Sequence, residues 1–420
     1  MSNAEPQARS AVLSDRAMPQ AAYVHLPFCR RRCYYCDFPI SVVGERTRGE
    51  TSTSMQAYVD AVCREIAIAP QPPQPLKTVF FGGGTPSLIS VAQLEQLLAA
   101  LAQRLGIAAG AEISMEMDPG TFDASQLQGF LAAGVNRVSL GIQSFDPETL
   151  ATCGRAHTVE DSWAAIALLL QAEVENFSLD LMSGLPQQTL AQWQTTLETA
   201  IGLGPAHLST YDLIVEPKTV FEHRYTSGAA PLPTDEIAAQ MYRLTHQLLI
   251  DAGYEHYEIS NHARPGYQCR HNRVYWQNRP YYGFGMGATS YLGGERFARS
   301  RTRHDYYQWL DTQPAKSIPP IPEAPNNDED SLLETLMLGL RLAEGINLTQ
   351  LRDRFGQATV QSVLARLQPH AAPGWIELLD NQNRPLPWND YSESAATRLR
   401  LNAPEGFLFS NTVLASLFSD

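Results

Sequence analysis

Six cysteines in 420 residues are too few to staple a chain of this size, which excludes a disulfide-framed scaffold. Charged residues are sparse at 18% against 44% apolar ones, so a disordered, charge-extended chain is excluded and buried cores are expected. Positive charge is the scarcer sign: 31 basic groups face 44 acidic ones, a net charge of -13, and the average field gives no help in binding nucleic acid or an anionic membrane. Long apolar runs are absent too. The stretch from Trp163 to Leu170 falls well short of the roughly 20 residues a bilayer span needs, and the first 20 residues lack the apolar core of an export signal. A soluble, cytoplasmic protein with no stable membrane insertion is expected. Repeats and low-complexity tracts are also missing, and the length exceeds what one hydrophobic core organises, so a large domain plus a smaller module is expected.

What is present from Tyr23 onward is an alternation of short β-rich runs with longer helical patterns. Strands are expected at Tyr23–Leu26, Thr78–Phe81, Glu112–Met117, Arg137–Ile142, Phe177–Leu181 and His207–Tyr211. Helical periodicity falls at Met55–Ala69, Val91–Leu105, Ser125–Ala133, Val159–Ala172 and Thr189–Leu203. Continuous apolar strands read as a parallel sheet covered by helices, so the fold class is α/β and six units suggest a partial (β/α)6 barrel. Residues 1–20 read as a disordered N-terminus, 21–255 as the barrel, 256–313 as an extension and 314–330 as a Pro- and Asn-rich linker. Residues 331–420 read as helices followed by a β-like run at Trp375–Leu379, compatible with a small winged-helix module.

In such folds the chemistry gathers at the C-terminal ends of the strands. After the first strand stand Cys29, Cys33 and Cys36, spaced C-x3-C-x2-C, and after the second Gly82-Gly83-Gly84-Thr85-Pro86. Glu116 and Asp118, then Gln143 and Ser144, then Asp180, then Tyr211 and Asp212 end the next four. Three thiolates on one loop can hold three corners of a [4Fe-4S] cubane and leave one iron open to an outside ligand. The competing assignment is a structural zinc site, with His25 or Asp37 as the fourth ligand. A glycine run gives close backbone approach, and strand-end acids can accept hydrogen bonds from hydroxyl or amino groups. Cys63, Cys153 and Cys269 are scattered and carry no assigned role.

Tyr23-Val-His-Leu-Pro-Phe-Cys29 with Cys33-Tyr-Tyr-Cys36 resembles the signature of the radical S-adenosylmethionine (SAM) superfamily. Further runs resemble its porphyrin-related branch, which holds the oxygen-independent coproporphyrinogen III oxidases and the HemW haem chaperones. These are Met115 to Thr121, Arg137 to Phe145, Gly154-Arg155-Ala156-His157 and Asp180 to Pro186. The resemblance implies a radical SAM barrel with a [4Fe-4S] cluster on Cys29, Cys33 and Cys36. It implies SAM held by Gly83, Gly84 and Thr85 and by the positions Tyr23, Tyr35, Glu116, Gln143, Arg155, Asp180 and Ile214, and an electron donor for the cluster. A guanidinium such as that of Arg155 pairs well with a carboxylate.

Residues 264–303 hold eight arginines against the single acid Glu295, a local +7 within a chain of -13. Tyrosines and Trp276 interleave with them, a mixture that suits a flat anionic ligand such as a porphyrin, and also RNA. His271-Asn-Arg-Val-Tyr-Trp276 lies within and resembles the HNxxYW motif of the chaperone branch, which implies haem at His271. No Cys-x-x-Cys-His run exists for covalent haem attachment. Gly283 to Ala288 lacks the βαβ context of a dinucleotide loop and reads as a close-packed glycine turn near the SAM pocket.

The oxidases resemble this chain but carry a fourth cysteine where Phe38 stands, and a longer N-terminal region before the cluster. Leu333 to Ile346 and Phe407 to Phe418 resemble the C-terminal module of the chaperones, from which an Asn-rich insertion at Asn381–Asn389 departs. The expected function is therefore a haem chaperone of the radical SAM family, binding haem and passing it to recipient haemoproteins, with a homodimer as one expected assembly. Radical decarboxylation of coproporphyrinogen III propionates is the alternative, disfavoured by Phe38, and no catalytic residue is assigned. Radical chemistry on RNA has only the arginine run behind it, so nucleic acid is not an expected partner.

Overall fold

Strands buried on both faces need apolar residues at consecutive positions, and the run Ala21–Leu26 meets that demand with only Tyr23 partly exposed. In the computed structural model it forms β1, followed along the chain by β2 (Leu76–Gly83), β3 (Ile107–Met117), β4 (Arg137–Gln143), β5 (Phe177–Ser183) and β6 (His207–Asp212). The described residues are 18–45, 47–313, 328–388 and 396–417; the expected linker falls mostly, and the expected disordered N-terminus almost wholly, outside them. All six expected core strands are present, with β3 beginning five residues before its expected start.

Two units divide the chain. The first takes Met1–Gln188, Tyr211–Thr234 and Arg279–Pro325; the second takes Thr189–Thr210, Asp235–Asn278 and Asn326–Asp420. In the first unit β1 to β5 pair in parallel and in sequence order, so their C-terminal ends lie at one edge. The registers level the chemistry: Leu26 lies opposite Gly83, and Glu116 opposite Ser139, which is itself opposite Ser178. The crossover helices start where short polar side chains cap them. Ser52 accepts from the Met55 amide ahead of α1 (Thr53–Ile68), and Ser90 with Gln93 forms a capping box ahead of α2 (Val91–Leu105). Asp123 caps α3 (Ala124–Ala133), Asp146 caps α4 (Pro147–Thr152), and Thr158 with Asp161 boxes α5 (Val159–Gln171).

The glycine-rich run at 283–287 is a strand rather than a turn in its first half. Tyr282–Phe284 pairs in parallel with β1, placing Gly283 opposite Tyr23. A Cβ on Gly283 would sit 2.1 Å from the Thr289 carbonyl oxygen, and one on Gly287 would sit 2.1 Å from Pro39 Cγ. One buried carboxylate fastens this segment to α1: Glu65 accepts from the Gly285 amide at 2.8 Å, Tyr306 Oη at 2.7 Å and Arg299 Nε at 2.7 Å.

In the second unit α6 (Leu190–Gly202) is boxed by Thr189 and Gln192 and packs on α8 (Asp235–Asp251), the short α7 (Val220–Arg224) belonging to the first. Trp193 Nε1 donates to Thr245 Oγ1 at 2.9 Å between α6 and α8. Strands Glu255–Glu258 and Asn261–Ala263 pair antiparallel. Helices at Asp328–Gly339, Leu348–Phe355 and Gln357–Leu367 bury Leu336, Leu348 and Leu364 against a four-stranded antiparallel sheet that contains Ile376–Leu379 and Arg398–Leu401. This is the expected small C-terminal module of helices and sheet. No helix among the described residues is long and apolar enough to cross a membrane.

Breaking a buried ion pair from one side strands the other charge, at a cost of about 3–5 kcal/mol. Arg299→Met should therefore lower the unfolding free energy by about that much in urea denaturation of the metal-free chain. A loss below about 1 kcal/mol would show that Glu65 does not hold the extension.

Candidate cluster and cofactor site

The loop after β1 carries the three cysteines, all free thiols and all partly buried. It is shaped by its own backbone: the Cys36 amide donates to the Cys33 carbonyl at 3.2 Å, and Val43 to the Cys29 carbonyl at 2.9 Å. The glycine loop packs directly against it. Gly84 donates to the Leu26 carbonyl at 2.9 Å and Thr85 to the Phe28 carbonyl at 2.7 Å. A Cβ on Gly84 would lie 2.8 Å from Cys29 Sγ, and Gly83 holds φ at 125°, so both positions demand glycine.

Arg155 ties the loop to the strand ends. Its Nη2 donates to Asp118 Oδ1 at 2.6 Å and to the Gly141 carbonyl at 2.9 Å, while Nη1 reaches Cys33 Sγ at 3.4 Å and Tyr35 Oη at 3.3 Å. Asp118 takes a second bond, from Thr85 Oγ1 at 2.9 Å. The carboxylate paired with Arg155 in this structure is thus the protein's own. Asp118 and Gly141 were not marked from sequence as partners of Arg155. The usable signal for Gly141 is its place in the Arg137 to Phe145 motif: a Cβ there would sit 2.7 Å from Asp118 Oδ1. Gly154 makes room in the same way, since a Cβ would meet the Tyr34 ring at 2.9 Å. Cys153, scattered in sequence, lies under the loop, its carbonyl accepting the Tyr34 amide at 2.9 Å and its side chain buried with Met182, Leu185 and Phe221.

Glu116 Oε2 accepts from the Gly83 amide at 2.9 Å, and Asp180 accepts from Ser139 Oγ at 2.9 Å and Ser178 Oγ at 3.1 Å. Gln143 ends β4 at a positive φ of 65°, a conformation non-glycine residues adopt at a cost. Tyr23 stacks on Phe80 and shares a 2.9 Å hydrogen bond with His25 Nδ1, and Tyr35 packs on Phe221. Ile214 is 68% exposed on the segment after β6. His271 belongs to the second unit. It is fully buried on helix α9 (Arg270–Trp276), with Nε2 hydrogen-bonded to Tyr275 Oη at 2.8 Å.

Burial dominates the electrostatics. It pushes Glu116 up to about 8, with Asp180 and Asp118 adding to the rise, and pushes the Cys29 thiol up to about 12. Thiols crowded this way lose their protons to a bound metal rather than to water. His25 is poorly placed as a fourth zinc ligand: both ring nitrogens are taken, by Tyr23 Oη at 2.9 Å and the Pro39 carbonyl at 2.8 Å. Three thiols with donors at two sulfurs, Arg155 on Cys33 and Thr85 on Cys29, suit an iron–sulfur cluster whose charge is tuned by hydrogen bonds.

The residues of the arginine run divide between the two units, and several guanidiniums are engaged within their own unit. Arg273 pairs with Glu344, Arg299 with Glu65, and Arg296 and Arg264 lie over the rings of Tyr291 and Tyr254 at 4.4 and 4.7 Å. The +7 of the linear count therefore overstates the charge left for an anionic ligand.

Because Glu116 stays protonated to about 8 in the fold against its ordinary 4.5, the folded state holds more protons than the unfolded one between those values. Its contribution to stability is complete below about 4.5 and is lost as pH rises through about 8. Glu116→Gln in the iron-free chain should gain on the wild type between pH 5 and pH 8 by an amount on the order of a few kcal/mol, read from urea denaturation. A pH-independent offset between the two would contradict the assignment.

Comparison with known proteins agrees with this geometry. The family model described as the radical SAM superfamily matches residues 23–200, and the HemN C-terminal domain matches residues 326–385. The heme chaperone HemW of Synechocystis sp. is 48% identical over 402 residues, covering 96% of this chain and 97% of that one. HemW of Escherichia coli is 40% identical over 293 residues, 68% of this chain and 74% of its own. Among solved structures, the radical SAM enzyme coproporphyrinogen III oxidase (HemN) of Escherichia coli superposes with a TM-score of 0.76 at 23% identity, covering 97% of this chain and 92% of that chain, a likeness of fold. With the cysteine loop, the glycine cradle and near-half identity across almost the whole of both chains, this protein belongs to the HemW family of the radical SAM superfamily.

Proposed function

We propose that this protein is a cytoplasmic haem chaperone, binding haem and passing it to recipient haemoproteins. The observation that carries the reading is likeness to a heme chaperone along 97% of that protein's length, joined to Phe38 at the position where the oxidases would have a fourth cysteine. A [4Fe-4S] cluster on Cys29, Cys33 and Cys36 would supply an open iron and a one-electron couple, reduced by a separate electron donor.

The chain's own residues divide the work of holding SAM. Gly83 and Gly84 offer backbone at close range, and Glu116 and Asp180 are acceptors for amino or hydroxyl groups. Arg155 orients the cysteine loop through Cys33 and Asp118, and Thr85 buttresses Cys29. Tyr23, Tyr35, Gln143 and Ile214 are the further proposed contacts.

His271 is the proposed axial haem ligand. Its Nε2 is bonded to Tyr275 Oη and the ring is fully buried, so ligation would exchange that bond for one to iron and would require the ring to be uncovered to the haem. Anaerobic titration of the cluster-loaded chain with haem should saturate near one haem per chain, and the loaded chain should deliver haem to an apo-haemoprotein. His271→Ala should shift the Soret band or weaken binding about tenfold or more, the loss expected for one ligand bond worth about 1.4 kcal/mol or more. An unchanged spectrum with full affinity would reject the histidine, and absence of haem binding in the wild type would reject the chaperone reading.

A further inference from the structure

Three histidines of the second unit converge away from any group assigned so far. His246 stands half-buried on α8, His256 on Glu255–Glu258, and His262 directly across the strand pair in register with His256. The His256 and His262 rings stack with centroids 3.9 Å apart, and the His246 and His256 Nδ1 atoms are 2.9 Å apart. One ring nitrogen from each of the three lies within 4.8 Å of the others.

A stack of imidazoles is a poor way to fill a core. His262 is 1% exposed, yet neither of its ring nitrogens has a hydrogen-bond partner among the described residues. Each such buried, unsatisfied group destabilises the fold, and an apolar side chain of the same shape would avoid that cost. Glu258, two residues beyond His256 on the same strand and fully buried, likewise has an unpartnered carboxylate oxygen. Burial keeps the imidazoles neutral at physiological pH, lowering His256 to about 3 and holding His262 well below the usual histidine range, so their lone pairs are not taken by protons. The surroundings orient the ligands: the Ile259 carbonyl accepts from Tyr242 Oη at 2.8 Å and lies 3.4 Å from His256 Nε2, leaving His256 Nδ1 to face His246. The edge of Phe407 closes the other side of His256, 5.0 Å between centroids.

From this geometry we propose that His246, His256 and His262 bind one divalent first-row transition-metal ion, with zinc as the probe and one coordination position left to water. Imidazole nitrogens about 2.0–2.1 Å from zinc lie roughly 3.4 Å from one another in a tetrahedral site. The His256 and His262 rings lie stacked with planes 20° apart, so their in-plane lone pairs run nearly parallel, and binding requires one of these rings to turn as His246 closes on the pair. The ion takes one of the two stranded nitrogens of His262 and pins α8 to the strand pair.

The test uses the full chain with its iron–sulfur cluster assembled, so that the cysteines are occupied. Zinc is added, excess is removed by gel filtration, and the product is studied by elemental analysis and zinc X-ray absorption. One zinc per chain with a nitrogen shell and imidazole scattering is expected, together with a rise in melting temperature on zinc addition. His246→Ala, at a half-buried helix position, should fold, bind zinc at least 100-fold more weakly and lose the zinc-dependent rise; His262→Phe should do the same. Should His262→Phe fail to fold, His246→Ala alone decides. No retained zinc, a sulfur shell around it, or His246→Ala binding like the wild type would each overturn the proposal.

Discussion

The pairing of Arg155 with Asp118 is the interaction on which the cluster site rests. A planar guanidinium can serve several acceptors at once. Here it joins a carboxylate from the end of β3, a carbonyl from β4, a thiol from the loop after β1 and the hydroxyl of Tyr35. Asp118 extends the junction to Thr85, which in turn touches Cys29. Four chain segments distant in sequence are thereby held in one geometry before any cofactor arrives. The small residues follow from this crowding: Gly141 and Gly154 are sites where a single Cβ would push the junction apart.

A second buried acid does comparable work farther from the thiols. Glu65 gathers Arg299, Tyr306 and the Gly285 amide, and so fixes the strand Tyr282–Phe284 along β1. Tyr58 reinforces the same joint, donating to the His25 carbonyl at 2.9 Å and accepting from the Met286 amide at 3.0 Å. The edge of β1, whose loop carries all three cysteines, is thus covered by the extension rather than left as an open edge. Cluster loop, glycine loop and extension form a continuous set of contacts in the first unit.

Much of this was legible in the sequence because local signals agreed. Core strands announced themselves as continuous apolar runs, and helical periodicity placed the starts of five helices to within two residues. The cysteine spacing and the motifs at the strand ends named nearly every group around Arg155. What spacing does not encode is pairing across the fold. Nothing local says that Arg155 faces Asp118, that Arg299 and Arg273 spend their charge on Glu65 and Glu344, or that Gly283 lies in a parallel strand. The helix Asp235–Asp251 is absent from the expected elements because its fully buried stripe is only Met241, Thr245 and Leu249, one residue per turn amid polar neighbours. His246, His256 and His262, each unremarked alone, meet only once that helix and the strand pair are in place.

The fold is shared with a coproporphyrinogen oxidase, so fold alone does not separate a chaperone from an enzyme; the site must. The position where the resemblance implies a fourth cysteine in the oxidases is Phe38, which is 59% exposed with its carbonyl held by Arg32 at 3.1 Å. The most direct measurement of the central claim is a paired anaerobic incubation of the cluster-loaded chain with SAM and reductant. One arm contains coproporphyrinogen III and the other haem, and each is followed by chromatography of the tetrapyrroles. The account predicts that haem is bound and recovered intact and that no decarboxylated porphyrinogen forms. Sustained conversion of coproporphyrinogen III to protoporphyrinogen would contradict it.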